Sequence, residues 1–554
     1  MTRNSPNFWI FKQIRKRIPA LVVMTLGFVA NALLSVAFAL GTRDVIDCAT
    51  GRQMEDFLRA CLIQCLIILG LLSSNALAHY LQEKLRAQLD RDWKRNFFHQ
   101  LLHGDFAATS AYHSGELMNR LNNDVRLVND GILSVLPGVA SLFTRIVAAV
   151  GALLAMQPEF TSLLLIAGSA LVVCTGMLRR RMKELQKRVS EEEGKVSSML
   201  QESLENLLMI QALDVAEQIE SRAESAMHSR YKAQRRRKNA TLVANTCLNI
   251  LYYGAGFAAL AWCSLGLLRG AITFGTLTAV TQLVNQLQSP FIRISGIIPQ
   301  YVAMTASAER LMELEALEPI EEASVEDPAI IHRDLAAISG EHLHFAYDRD
   351  RVLDGASFRI PAGSFAVITG SSGIGKSTLL KLMLGIFRPE SGNLYLECKD
   401  RKIPLVRGTR NLFAYVPQGN LLLSGTLRDN LTITRPDASA EEIAQAIYVS
   451  ATDEFLPQLP LGLDTPLGEG GAGLSEGQSQ RLAIARAILS GAPVILLDEC
   501  TSALDGPTEL KVLQRIHALP DRTCIAVTHR PAALDLCDWN IEMRDGKLYP
   551  RSTK

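Results

Sequence analysis

Hydrophobic positions are unevenly spread along this chain. Long apolar stretches fall near residues 18–41, 58–80, 132–155, 160–178, 241–268 and 272–304. Most approach the ~20 residues that a helix needs to cross a bilayer. So many stretches with so few internal charges predict a membrane α-helical domain of six transmembrane helices rather than buried core helices. In the connections near 81–131 and 179–240 the pattern changes period instead of stopping. "EKLRAQLDRDWKRNFFHQLL" and "VSEEEGKVSSMLQESLENLLMIQALDV" keep helical spacing and almost lack proline and glycine, which predicts helices that run on far beyond the apolar stretches. Within the first connection, "YHSGELMNRLNNDV" breaks at His113–Gly115 and restarts as a helix, with Ser114 as N-cap and Leu117 as an apolar anchor. A short helix at the end of such an arm is placed to touch another domain. From Ala306 to Ala337 the composition turns acidic, with Pro319 and Pro328, and beyond it apolar strands alternate with amphipathic helices, as in an α/β domain. The expected division is a helical domain over 1–310, a linker over 311–337 and an α/β domain over 338–554.

Charge orients the helices. "KQIRKR" precedes the first stretch, "RRRMK" from Arg179 follows the fourth and "RRRK" from Arg235 precedes the fifth, while "TRDVIDCATGRQMED" between the first two is net acidic. Lysine and arginine favour the cytoplasmic side. Both chain ends, the two long connections and the α/β domain are therefore expected in the cytoplasm of a bacterial cell, with the helices in its membrane. The net charge of +1 over 554 residues gives none of the cationic excess of a nucleic-acid binder. The ten cysteines are scattered without a CxxC or a Cys/His ligand spacing, which argues against a zinc site or a disulfide framework; Cys61 and Cys65 share a helix face as small packing residues.

The chemistry lies in the second half. "FAVITGSSGIGKSTLLKLMLG" reads strand, glycine-rich turn, helix. Its turn matches the phosphate loop: Gly370, Ser371, Ser372, Gly373, Ile374, Gly375, Lys376, Ser377 and Thr378. Glycines let backbone N–H groups curl round phosphate oxygens, the helix dipole adds to them, Lys376 reaches the β- and γ-phosphates of a nucleotide and Ser377 ligates Mg²⁺. "PVILLDE" is an apolar strand ending in two carboxylates, Asp498 for the Mg²⁺ shell and Glu499 to polarise the attacking water. "FAYVPQ" ends on Gln418, an amide for Mg²⁺ or water, and "CIAVTHR" leads to His529, a partner for the γ-phosphate or the water. Strand ends in a doubly wound sheet gather on one edge, where ligands bind. Tyr347 in "FAYDRDRVL" offers a ring to stack on a base. A second anion-facing turn, "GAGLSEGQSQR", opens a helix at Ser475, about a hundred residues further on.

The order Tyr347, "GSSGIGKST", Gln418, "LSEGQ", "ILLDE", "SALD", His529 resembles the ATP-binding cassette. With six preceding spans the whole chain resembles an exporter-type ABC half-transporter, a membrane helical domain fused to an α/β P-loop cassette. "HSGELMNRLNNDV" is similar to that family's first intracellular loop and "GEGGAGLSEGQ" to its exporter-type lead-in. The resemblance implies that Tyr347 stacks adenine, that Glu469 senses the intracellular loops, and that Ser502–Asp505 crosses to a partner. It implies that the turn of Ser475, Gly477 and Gln478 caps the ATP held by a second cassette. The working unit is then a dimer, a homodimer by preference since Glu499 is present, a heterodimer otherwise. One departure stands out: Glu476 occupies the third signature position, where glycine is commonest.

The implied function is ATP-driven export of a lipid, drug-like compound or peptide by alternating access. An importer on the same fold is the alternative, and a non-transport ABC ATPase a remote third. Cargo is less legible. Gln282, Asn285, Gln286, Ser289, Arg293 and Gln300 of the sixth stretch, Arg145 of the third, and Asn245 and Asn249 of the fifth suit a polar cavity or helix–helix hydrogen bonding equally.

Overall fold

A computed structural model describes residues 5–52, 54–317, 328–347, 350–419 and 422–553. The chain divides into two bodies, Met1–Phe98 with Ser114–Ala316, and His99–His113 with Leu317–Lys554. Residues 318–327 of the expected linker lie outside the described residues.

The helices of the first half are α1 (Pro6–Ile14), α2 (Ile18–Thr50), α3 (Met54–His103), α4 (Phe106–Ser110), α5 (Ser114–Asn119), α6 (Val125–Met156), α7 (Pro158–Glu205), α8 (Leu207–Ala212), α9 (Ala216–Leu268) and α10 (Phe274–Glu315). Six of them, α2, α3, α6, α7, α9 and α10, carry the six apolar stretches. The 50 residues of α3 make about 75 Å of helix, against a hydrocarbon core of roughly 30 Å. Helix ends follow local chemistry: Pro158 opens α7, and the Thr273 side chain caps α10 by accepting from Thr276 N at 3.1 Å. Among the described residues, Pro6–Thr50, Met54–His103 and Ser114–Met156 are long and apolar enough to cross a membrane. Only 6% of the apolar part of α3 is buried, so its leucines and isoleucines form an outward face suited to lipid.

Small residues bring the helices together. Val36 and Ala39 of α2, Ala149 and Leu153 of α6, Ala259 and Cys263 of α9, and Val280, Leu283 and Val284 of α10 share one core. Part of the polar row on α10 serves packing. Gln286 Nε2 donates to Ser35 O at 2.8 Å, and Gln300 Oε1 accepts from Ser134 Oγ at 3.1 Å. Asn285, Asn245 and Asn249 are exposed and Arg145 is half-buried; the side chains of Ser289 and Arg293 lie outside the described residues. At the root of the first arm a π-helical turn, Arg120–Asp124, turns two charged side chains inward. Fully buried Asp124 accepts from Ser307 Oγ at 2.9 Å and Arg310 Nε at 2.8 Å; Arg120 donates to Glu116 and to Glu313 at 2.8 and 2.9 Å. A buried ion is tolerated only when paired and hydrogen-bonded in this way.

The second body is α/β. Its strands are β1 (Leu335–Tyr347), β2 (Asp350–Pro361), β3 (Phe365–Thr369), β4 (Ser391–Cys398), β5 (Arg401–Pro404), β6 (Phe413–Val416), β7 (Gly425–Thr426), β8 (Pro466–Leu467), β9 (Val494–Asp498), β10 (Thr523–Val527), β11 (Trp539–Arg544) and β12 (Lys547–Ser552). Its helices are α11 (Pro328–Asp334), α12 (Lys376–Met383), α13 (Leu427–Thr432), α14 (Ala440–Val449), α15 (Glu476–Leu489), α16 (Gly506–His517) and α17 (Pro531–Leu536). A four-stranded antiparallel sheet, β2-β1-β4-β5, accompanies a six-stranded sheet, β12-β11-β3-β10-β9-β6, in which every pairing but β11–β12 is parallel. Strands β9 and β10 are buried throughout, as parallel strands covered on both faces must be.

Within the second body a further short helix, α4, lies before the His113–Gly115 break and meets cassette side chains. Asp105 caps it by accepting from Ala107 N at 2.9 Å, its Phe106 ring stands edge-on to Phe387 at 6.1 Å, and Arg407 Nη1 donates to His103 O at 2.5 Å. The expected restart is present, but α5 begins at Ser114 itself and leads into the π-helical turn. Five residues of "FAATS" are too few to show a period, which is why the sequence pattern passes over α4.

Candidate active site

Parallel order decides where chemistry gathers. With β3, β10, β9 and β6 side by side, the residues just past their ends fall on one edge of the sheet. These are the loop from Gly370, His529, the pair Asp498 and Glu499, and Gln418.

The loop after β3 winds back on itself through left-handed glycines, Gly373 at φ 77° and Gly375 at φ 111°. A Cβ on Gly375 would lie 2.1 Å from Val352 Cγ1, so no other residue fits there. Lys376 opens α12 and is buried, its ammonium donating to Gly370 O at 2.8 Å and Ser371 O at 3.0 Å. The cation therefore lies inside the curl of the loop. Ser372 is exposed, and Ile374 N donates to Ser371 O at 3.4 Å. Thr378 Oγ1 lies 3.2 Å from the Tyr347 hydroxyl. Tyr347 is 41% exposed and its ring stands edge-on to Phe345 at 5.0 Å and Phe387 at 5.4 Å, so the surrounding aromatics hold the plane it offers.

Asp498 is 1% exposed. Ser377 Oγ donates to its Oδ1 at 2.8 Å and the Tyr415 hydroxyl to its Oδ2 at 3.1 Å. Burial raises its carboxyl above the ordinary aspartate range, against those two hydrogen bonds. A hydroxyl and a buried carboxylate short of positive charge are hard oxygen donors that fit Mg²⁺. Among the described residues no group of three or more His, Cys, Asp or Glu side chains could hold a metal, in keeping with an ion held by one or two protein oxygens plus phosphates and waters.

Glu499 departs from regular backbone, at φ 49°. A non-glycine residue in the left-handed region stores strain, and here the Glu499 N–H is fixed by Val527 O at 3.0 Å. The kink turns the carboxylate away from the strand line to Gln418, whose Nε2 donates to Glu499 Oε2 at 2.9 Å. His529 lies two residues past β10, exposed on the same edge.

The Ser475 turn is a second, separate feature. Ser475 caps α15: its Oγ accepts from Gln478 N at 3.3 Å and its N–H donates to Gln478 Oε1 at 2.9 Å, a reciprocal capping box. Gly477 lies against the next loop; a Cβ there would be 2.9 Å from Ala503 O. Gln480 bonds Ser502 Oγ and Ala503 N at 3.2 and 3.1 Å, so Ser475–Gln478 and Ser502–Asp505 form one surface, with Asp505 capping α16. Among the described residues no hydrogen bond or ion pair joins this surface to Gly370–Thr378. The Glu469 side chain lies outside the described residues. Sequence reading overlooked Tyr415, Phe387 and Arg530. Arg530 follows His529 and donates to Leu504 O and Glu509 at 2.9 Å, tying the His529 segment to the Ser502–Asp505 loop; its adjacency to His529 was the available signal.

Residues 21–291 match the family described as ABC transporter transmembrane region and residues 353–502 the one described as ABC transporter. An ATP-dependent lipid A-core flippase of Chromobacterium violaceum is 30% identical over 494 residues, 87% of this chain and 83% of that protein. The chain belongs to the ABC transporter family. A probable ABC transporter ATP-binding/permease protein of Haemophilus influenzae is 28% identical over 95% of this chain and 94% of its own length. The solved structure of a bacterial Atm1-family ABC exporter with ATP bound shares the fold, with a TM-score of 0.78 over 97% of this chain and 95% of that one at 24% identity. This ABC transporter therefore joins an exporter-type membrane domain to an ATP-binding domain in one chain, and its activity is ATP-driven transport.

Proposed function

We propose that two copies of this chain sandwich two ATP molecules and use their hydrolysis to export a lipid-like cargo by alternating access. The convergence of Ser377–Asp498 and Gln418–Glu499 on one sheet edge carries the catalytic part. In this reading Lys376 and the loop amides from Gly370 to Thr378 hold the phosphates, and Tyr347 stacks on adenine. Ser377, Asp498 and Gln418 hold Mg²⁺, which when bound would neutralise phosphate charge. Glu499 orients and polarises the water, with Gln418 fixing the carboxylate and His529 reaching the γ-phosphate. Ser475, Gly477, Gln478 and Asp505 serve the partner's ATP.

A second chain is also favoured by the turn between α7 and α9. Leu204, Leu208 and Leu213 are 70%, 82% and 62% exposed, about 40 Å of helix beyond the apolar stretch of α7. Apolar side chains so far from lipid call for a protein cover. The chain would be a multi-pass protein of a bacterial cell membrane with its cassette in the cytoplasm.

The names of the flippase relatives favour an amphipathic lipid as cargo. In sealed vesicles with the cassette outward, ATP is expected to move a fluorescent acidic lipid from the outer to the inner leaflet. ATP-driven movement in the opposite sense would contradict export. Glu476→Gly is expected to leave kcat within about twofold: the carboxylate is exposed in the first turn of α15, where its helix-dipole contribution is ~0.5 kcal/mol. A tenfold change in ATPase rate would place that carboxylate against the phosphates instead.

A further inference from the structure

The chain as a whole is nearly neutral, but its charge is banded. Residues 179–188 hold six lysines and arginines against one glutamate, and residues 230–238 hold six with no acid. The adjoining arm segments reverse the sign: 189–205 hold five glutamates and one lysine, and 216–229 three glutamates and one arginine.

The structure brings the two basic runs together. Arg237 Nη1 donates to Gln186 Oε1 at 2.5 Å, and Arg230 pairs with Glu193 at 2.5 Å. These contacts lie seven residues apart on each helix, so α7 and α9 are antiparallel and in fixed register over about 10 Å. That register sets Lys187 and Arg188 level with Arg236 and Arg235. Lys187, Arg188, Lys232, Arg235, Arg236 and Lys238 are all exposed. Lys187 reaches Glu191 at 3.8 Å. Among the described residues, no carboxylate lies within ion-pair distance of Arg188, Lys232, Arg235, Arg236 or Lys238.

Like charges gathered at one level repel one another, and apart from Glu184 within the first run the nearby glutamates lie on the side away from the apolar stretches. The counter-charge must come from outside the helix pair. Next in line along both helices are the apolar stretches 160–178 and 241–268, so the band lies at headgroup depth, where lysine and arginine clusters attract anionic lipid. We propose that the basic band of α7 and α9 binds resident anionic phospholipids of the leaflet on the side of the chain ends. The proposal rests on the membrane-spanning character of these helices and is independent of the cargo.

The test uses full-length protein in phosphatidylcholine bilayers with trace spin-labelled phosphatidylglycerol or phosphatidylcholine, and compares how strongly each associates with the protein surface. The expected preference for phosphatidylglycerol is about threefold at low salt, falling towards one at about 0.5 M NaCl. It should fall likewise in a variant carrying Arg188→Gln, Arg235→Gln, Arg236→Gln and Lys238→Gln, with detergent-phase ATPase unchanged. A ratio near one for the unmodified protein at low salt overturns the proposal, whether or not the variant inserts. Loss of the preference when ATP is added to Glu499→Gln protein also overturns it, because a lipid released by ATP is cargo rather than a resident.

Discussion

Glu499→Gln protein is expected to bind ATP as tightly as the parent and to turn it over roughly 10³-fold more slowly. The substitution keeps shape and removes the charge that polarises water. The backbone at this position is already set by the hydrogen bond to Val527 O and by its φ of 49°, neither of which depends on the side chain. Gln418 can turn its amide to face the new one, so the site keeps its geometry. Only the step that needs a proton acceptor suffers, and phosphate release should fall while the Kd for a fluorescent ATP analogue holds. A loss of less than tenfold in kcat would assign the water to another residue, with His529 the next group on that edge.

Lys376→Ala should act earlier, weakening ATP binding about 100-fold, equivalent to ~2.7 kcal/mol. That is the scale of a charge-assisted hydrogen bond lost from a site shielded from water. Lys376 is 5% exposed and its ammonium is held by two carbonyls of its own loop, so the parent protein has already met the desolvation cost before nucleotide arrives. Removing the charge should therefore spare the fold, and thermal unfolding without nucleotide should shift little. Equilibrium titration with labelled ATP checks the first expectation and a melting curve the second. Unchanged affinity would mean that the loop amides hold the phosphates without Lys376.

The phosphate loop was legible from sequence because it is local: one apolar strand, one glycine turn and one helix, in order. The strand-end residues were legible for a related reason, since a buried parallel strand reads as an apolar run whose next residue is on the ligand edge. The contact groups were hidden because they are not local. Phe387 supports Tyr347 across two strands and a helix, and Tyr415 reaches Asp498 from the neighbouring strand β6. Nothing in either residue's own segment sets it apart from an ordinary core aromatic. The polar row of the sixth stretch shows the opposite failure. Its spacing was visible, but whether Gln286 faced a cavity or the Ser35 carbonyl depended on how α2 lies beside α10.

Central to the account is that one chain's phosphate loop works with another chain's Ser475 turn. The direct measurement mixes Lys376→Ala chains with Ser475→Arg chains in equal amounts, exchanges subunits and assays ATPase. Each variant alone should be nearly inactive. In the mixture half the dimers are mixed and each holds one intact composite centre, so about a quarter of the parent rate should return. A mixture as inactive as its two components would show that each chain completes its own centre, and would contradict the account.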